Sequence, residues 1–99
     1  MKIEGKVKKN VLHIKVDGRI DLDTSTELEA YLKDNIEGVG SVEIDFKNVE
    51  YISSAGLRVL LWLKKQNVEK EDFVVVRHMN DTVRSVFELT GFSDLIVIR

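Results

Sequence analysis

Two hydroxyls stand side by side at Ser53 and Ser54, just ahead of Gly56, inside the stretch YISSAGLRVLLWL that runs from Tyr51 to Leu63. An apolar, strand-like segment leads into them and an apolar, helix-like segment follows. Serine is a favoured residue at a helix start, because its oxygen accepts a bond from an amide that the first turn leaves unpaired. The same end of a helix carries about +0.5 of an elementary charge from its aligned peptide dipoles, so it tolerates an anion such as phosphate. A serine here can therefore be a structural cap or a phosphate acceptor, and spacing alone does not choose. Gly56 has no Cβ to hinder something large approaching the chain. At about 100° per residue, Gly56, Val59, Leu60 and Leu63 share one helix face and read as core. Ser54, Arg58, Leu61 and Lys65 share the opposite face, with Leu57 at its edge. A hydroxyl, two cations and two leucines together read as a docking surface.

A second chemistry is conceivable with Ser54, His78 and Asp45 as nucleophile, base and orienting acid of a small serine hydrolase. The Gly-x-Ser-x-Gly elbow of such enzymes is missing, and a single histidine at a strand end is more often structural. No nucleotide or other cofactor is expected, since neither Gly-x-Gly-x-x-Gly nor a P-loop occurs. No metal is expected either, because no histidine–carboxylate cluster has ligand spacing.

The elements that must position these residues can be followed along the chain. Residues 2–7 and 11–17 alternate apolar and polar side chains, as half-buried strands do, and Lys8-Lys9-Asn10 is short enough to be a hairpin turn between them. Gly18 breaks the alternation, so residues 19–23 read as a connection. A helix follows from near Thr24, where Thr24 and Glu27 fit a capping box, with Leu28, Tyr31 and Leu32 as its buried stripe. Residues 41–46 form a strand, and residues 47–52 read as a link into the serine-start helix. Residues 72–77 hold the unbroken run Phe73-Val74-Val75-Val76, as expected of a strand covered on both faces. Asn80 or Asp81 can cap a third helix that buries Val83, Val86 and Phe87 and stops at Gly91. Residues 95–98 are the last strand.

The order ββαβαβαβ predicts a single α/β domain over residues 1–99, with a mixed, mostly parallel sheet, an N-terminal hairpin and helices packed against it. In such sheets function gathers beyond the carboxyl ends of the parallel strands. The connections there bring Asp21, Asp23, Ser53, Ser54 and His78 to one edge, which Asp45 can join.

Composition narrows the class further. Of 99 residues, 43% are hydrophobic and 32% charged, as in a soluble globular domain. A net charge of −2 makes no electrostatic case for nucleic acid or an acidic membrane. There is no cysteine, hence no disulfide or thiolate site. The first ten residues lack the apolar core of a signal peptide, and no apolar run reaches membrane length, so a cytoplasmic location is the default.

The chain resembles the STAS domain family, in particular free-standing bacterial anti-sigma factor antagonists. The likeness rests on Gly18-Arg19-Ile20-Asp21, Asp45, Tyr51-Ile52-Ser53-Ser54-Ala55-Gly56-Leu57, and Val83, Phe87 and Gly91-Phe92. It covers essentially the whole chain. It implies a partner switch and no catalytic activity. The unphosphorylated antagonist binds an anti-sigma factor that is also a serine kinase, thereby freeing a sigma factor. Phosphorylation ends that binding, and a serine phosphatase restores it. Motif alignment places the phosphoacceptor on Ser54, with Ser53 the second candidate hydroxyl. The chain departs from the common pattern at Ser53, where many relatives carry Asp, and at Ala55, where many carry Ser or Thr. The partner surface implied comprises Asp21, Asp23, Ser53, Ser54, Gly56, Leu57, Arg58, Leu61 and Lys65. A scaffold subunit of a larger signalling assembly is the alternative within the same family.

Overall fold

A computed structural model describes residues 1–99. The chain opens with an antiparallel hairpin of β1 (Lys2–Lys8) and β2 (Val11–Ile20). Its turn residues, Lys9 and Asn10, both have positive φ, 51° and 66°. That is the two-residue geometry whose twist matches paired strands. There follow α1 (Leu22–Asn35), β3 (Ser41–Ile52), α2 (Ser54–Lys65), β4 (Val74–Arg77), α3 (Asp81–Thr90), a 3₁₀ turn at Phe92–Asp94, and β5 (Val97–Ile98).

The strands lie in the sheet in sequence order, β1-β2-β3-β4-β5, with β2 to β5 parallel. Each crossover therefore steps the same way across the sheet, and crossovers of one hand put all three helices on one face. Burial agrees. Leu12, Ile14 and Val16 of β2 and Val42, Ile44 and Phe46 of β3 form one cluster with Leu28, Leu32, Leu60, Leu63, Val83 and Phe87 from the helices. The interleaved His13, Lys15, Glu43 and Asp45 point to the uncovered face and are not buried. Phe87 ties the far end together through edge-to-face contacts with Phe46 and Phe92, at 6.4 and 6.2 Å between ring centres. Because the strand order never reverses, this sheet has no switch-point crevice of the kind that houses ligands in doubly wound folds.

Several boundaries differ from the sequence reading. Strand β2 runs on through Gly18 to Ile20, because Gly18, at φ 110°, absorbs an irregularity that keeps the strand paired while its alternation is lost. Strand β3 is twelve residues long and includes the stretch expected as a link. Its alternation fails at Lys47 and Asn48, yet Asn48 Nδ2 donates to Asp17 Oδ1 at 2.9 Å and pairing with β2 resumes. Helix α1 starts two residues before Thr24, capped by Asp21. Tyr31 is only half-buried, whereas Ser25 joins the buried stripe. Strand β4 begins only at Val74, and β5 is two residues long because Phe92 O accepts the amides of Leu95 and Ile96, holding that stretch in a turn. Helix α3 has its expected caps, with Asn80 Oδ1 accepting the Val83 amide at 2.8 Å and Gly91 closing the helix at φ 80°, and it buries Val83 and Phe87 while Val86 is half-buried.

Candidate functional site

Strands β2 and β3 end side by side, with Ile20 opposite Ile52 and the Ser53 amide donating to Ile20 O at 2.8 Å. Each strand passes at once into a helix, so α1 and α2 begin next to each other. Two N-caps and two first-turn residues therefore crowd one edge of the sheet.

Ser53 is the cap of α2. Its backbone is extended (φ −90°, ψ 172°), its Oγ accepts the Gly56 amide at 3.3 Å, and its carbonyl accepts the Leu57 amide at 3.0 Å. Ser54 is the first helical residue and is exposed. With the cap supplied by its neighbour, its hydroxyl has no backbone bond to maintain.

Asp21 plays the matching part for α1. Its carboxylate accepts the amides of Asp23 and Thr24 at 3.0 and 2.9 Å, while the Asp21 amide donates to Thr24 Oγ1 at 2.8 Å. Those bonds, the Thr24 amide first and its hydroxyl next, hold the Asp21 carboxyl below its ordinary value. Asp21 thus fixes the loop beside the serines. Asp23, in the first turn, is exposed and well placed against the helix dipole.

On α2, Arg58 and Lys65 are exposed and Leu61 is half-buried, in line with the expected outer face. Two residues assigned to the docking surface lie elsewhere. Leu57 is 5% exposed and belongs to the core. Gly56 is buried, and a Cβ there would come within 2.6 Å of Ile20 Cγ2 and 2.7 Å of Ile52 Cγ1. Its missing side chain lets α2 close on the strand ends; it does not open a path for a partner. Gly56 faces the ends of β2 and β3, whereas Leu57 widens the buried side of α2. The helix's buried arc, from Val59 round to Leu57, spans about 160° and exceeds a sheet-facing stripe. Trp62 is half-buried at the margin, with the Lys33 ammonium 5.6 Å from its ring.

Three further residues at this edge escaped the sequence reading. Leu22, the first residue of α1, is 73% exposed. Tyr51 is also exposed, and the Arg19 guanidinium lies 4.9 Å over its ring, its partner across β2 and β3. The available signal was Leu22 itself, an apolar residue outside the Leu28–Leu32 stripe.

His78 and Asp45 do not join this edge. His78 Nδ1 and Asp45 Oδ1 are 3.0 Å apart, at the level where Asp45 pairs with Arg77. Ser53 lies eight residues further along the chain, just past the end of β3, and at about 3.3 Å per residue that is roughly 26 Å away. The Ser54–His78–Asp45 triad is therefore not assembled, because β3 runs well past the end of β4. Partial burial pushes the Asp45 carboxyl up, but the Lys47 amide and the His78 ring outweigh it, and the group sits below its ordinary value.

No helix is long and apolar enough to cross a membrane. Over 84 residues the chain is 33% identical to BtrV of Bordetella bronchiseptica, named as an anti-sigma factor antagonist, covering 84% of this chain and 72% of the relative. It is 27% identical over 97 residues to the anti-sigma-B factor antagonist of Staphylococcus aureus, covering 97% and 90% of the two chains. These relatives carry the names of regulatory proteins, not of enzymes. The anti-sigma factor antagonist SpoIIAA in its unphosphorylated form matches with a TM-score of 0.81 at 17% identity, over 99% of this chain and 88% of that one. The phosphorylated form of the Bacillus protein matches at 0.73 and 16% identity, over 99% and 91%. At such identities the structures speak for the fold alone. The description of the family that matches residues 6–98 is "Mlab, STAS domain". With nearly every element inside that match, the chain belongs to the STAS domain family.

Proposed function

We propose that this chain is an anti-sigma factor antagonist, a binding module switched by phosphorylation of Ser54. The observation that carries the reading is the division of labour between neighbouring serines: Ser53 caps α2, and Ser54 presents an exposed hydroxyl at the same helix start. The family and the names of the relatives support it.

In this reading the unmodified edge docks an anti-sigma factor with serine kinase activity, which releases its sigma factor. Arg58, Leu61 and Lys65 on α2 and Asp23 and Leu22 on α1 supply the contact, with Asp21 and Ser53 holding the two helix starts. The kinase then transfers the γ-phosphoryl group of ATP to Ser54 Oγ. The hydroxyl proton passes to a base on the kinase, and ADP leaves. A serine phosphatase hydrolyses the ester and resets the switch.

Phosphorylation adds about −1.5 to −2 charge at neutral pH. At a helix start that charge meets unpaired amides and a favourable dipole, so the antagonist has little reason to distort. Arg58, one turn on, can partly neutralise it. The cost falls on the complex, where a dianion would be desolvated against a surface shaped for a hydroxyl. A penalty of about 3 kcal/mol weakens binding more than a hundredfold. The test is incubation with the cognate kinase and Mg-ATP. One phosphate on Ser54, absent from Ser54→Ala, is expected; phosphate retained on Ser53 in that variant would overturn the assignment.

A further inference from the structure

Strand β4 pairs with β3 only as far as Asp45, opposite Arg77. The rest of β3, residues 46–52, runs on beyond β4 and leads straight into the two serines. On one side this run stays paired with β2, through Gly18–Val49, Arg19–Tyr51 and Ile20–Ile52. On the other side no strand accompanies it. A strand end paired on one side only is a part of a sheet that opens easily.

The chain leaving β4 comes back to that open side. His78, at φ 63°, turns it out of the strand, and buried Met79 anchors the turn. Asn80 follows as the N-cap of α3 and bonds in two directions. Its Oδ1 accepts the Val83 amide at 2.8 Å, while its Nδ2 donates to Val49 O at 3.1 Å and lies 3.4 Å from Glu50 O. An oxygen facing an N–H and a nitrogen facing carbonyls leave the side-chain amide one orientation. Capping alone does not call for this residue, since Ser and Asp cap about as well as Asn. Neither of them has an NH₂ group to give to a second element. Helix α3 is itself a firm support. Val83 and Phe87 are fully buried, and the Phe87 ring meets Phe46 of β3 edge to face, 6.4 Å between centres.

We propose that Asn80 is a positioning residue for Ser54, a role that rests on Ser54 being the phosphoacceptor. Its amide ties the open end of β3 to the start of α3 and so holds the serine loop in one place. Val49 and Glu50 lie a few residues before Ser53, whose own amide holds the other side by donating to Ile20 O at 2.8 Å. Asn80 has no bond to Ser54 and acts through the strand. A loosened strand end displaces the Ser54 hydroxyl, and group transfer falls steeply when the acceptor is misplaced by about 1 Å.

Asn80→Ser tests this, because it keeps a capping oxygen and loses the NH₂ group. Amide hydrogen exchange should quicken about fivefold at Tyr51, Ile52 and Ser53, the effect of one net hydrogen bond, while the amides of α3 keep their protection. With the cognate kinase and Mg-ATP, kcat for transfer to Ser54 should fall about threefold or more with KM nearly unchanged, since the docking side chains on α1 and α2 are untouched. Unchanged exchange from Tyr51 to Ser53, faster exchange confined to α3, or a kcat equal to that of the wild type would each overturn the proposal. A wild-type protein that the kinase leaves unmodified at Ser54 would overturn the switch reading instead, and the exchange rates would then decide the tether by themselves.

Discussion

Ser53 Oγ lies 3.3 Å from the Gly56 amide, while Ser54, the next residue, starts α2 with its side chain in solvent. The two hydroxyls are therefore not interchangeable. Ser53→Ala should leave phosphorylation of Ser54 intact and cost about 0.5–2 kcal/mol, the usual loss of an N-cap. Ser54→Ala should leave the melting temperature nearly unchanged. Calorimetry on both variants, with mass spectrometry after kinase treatment, checks the pair; a larger loss for Ser54→Ala would show the roles reversed.

Leu57 and Leu61 are one turn apart on α2, yet only Leu57 is fully in the core. Leu57→Ala should destabilise by about 2–5 kcal/mol. Leu61→Asp should weaken binding to the anti-sigma factor with little change in stability. Denaturant unfolding curves and a binding isotherm for each variant separate the two. A large stability loss in Leu61→Asp would move that residue into the core.

Gly56→Ala introduces a methyl against Ile20 and Ile52, at the point where α2 meets the strand ends. Overpacking of this kind costs about 1–3 kcal/mol. The expected result is a lower melting temperature with helix content preserved. Unchanged stability would mean that α2 can move away from the sheet freely.

Asp21 gives a pH dependence. Its folded pKa is depressed by the Thr24 and Asp23 bonds, so its contribution to stability is fully present above the unfolded value of about 3.9 and is lost as pH falls through the folded value. The stability difference between the wild type and Asp21→Ala should be constant at neutral pH and shrink below about pH 4. Urea unfolding across this range measures it; a difference that persists unchanged at the acid end would remove the carboxylate from the cap.

The parts of this domain that were legible in the sequence are those where one local rule decides. Asn80 and Gly91 bracket α3, and Lys9-Asn10 turns the hairpin, because capping and positive φ are properties of a few adjacent residues. The long β3 was hidden because its alternation stops at Lys47 and Asn48, while the contacts that keep it in the sheet come from Asp17 and Asn80, far away in the chain. The start of α1 was misplaced because Asp21 and Thr24 cap each other, so Thr24 alone read as the cap. Leu57 was set on the outside because the buried arc of α2, about 160° wide, exceeds the stripe that a single sheet-facing side predicts. Arg19, Leu22 and Tyr51 gather at the serine edge only once β2 and β3 are known to end together.

The proposed switch rests on what a phosphate at Ser54 does to partner binding. Isothermal titration of the cognate anti-sigma factor with the unmodified and the Ser54-phosphorylated protein measures this directly. The prediction is a loss of affinity of about a hundredfold or more, with amide NMR shifts on phosphorylation confined to the loop around Ser53 and its neighbours. Equal affinity for the two forms, or shifts spread through α3, would contradict it.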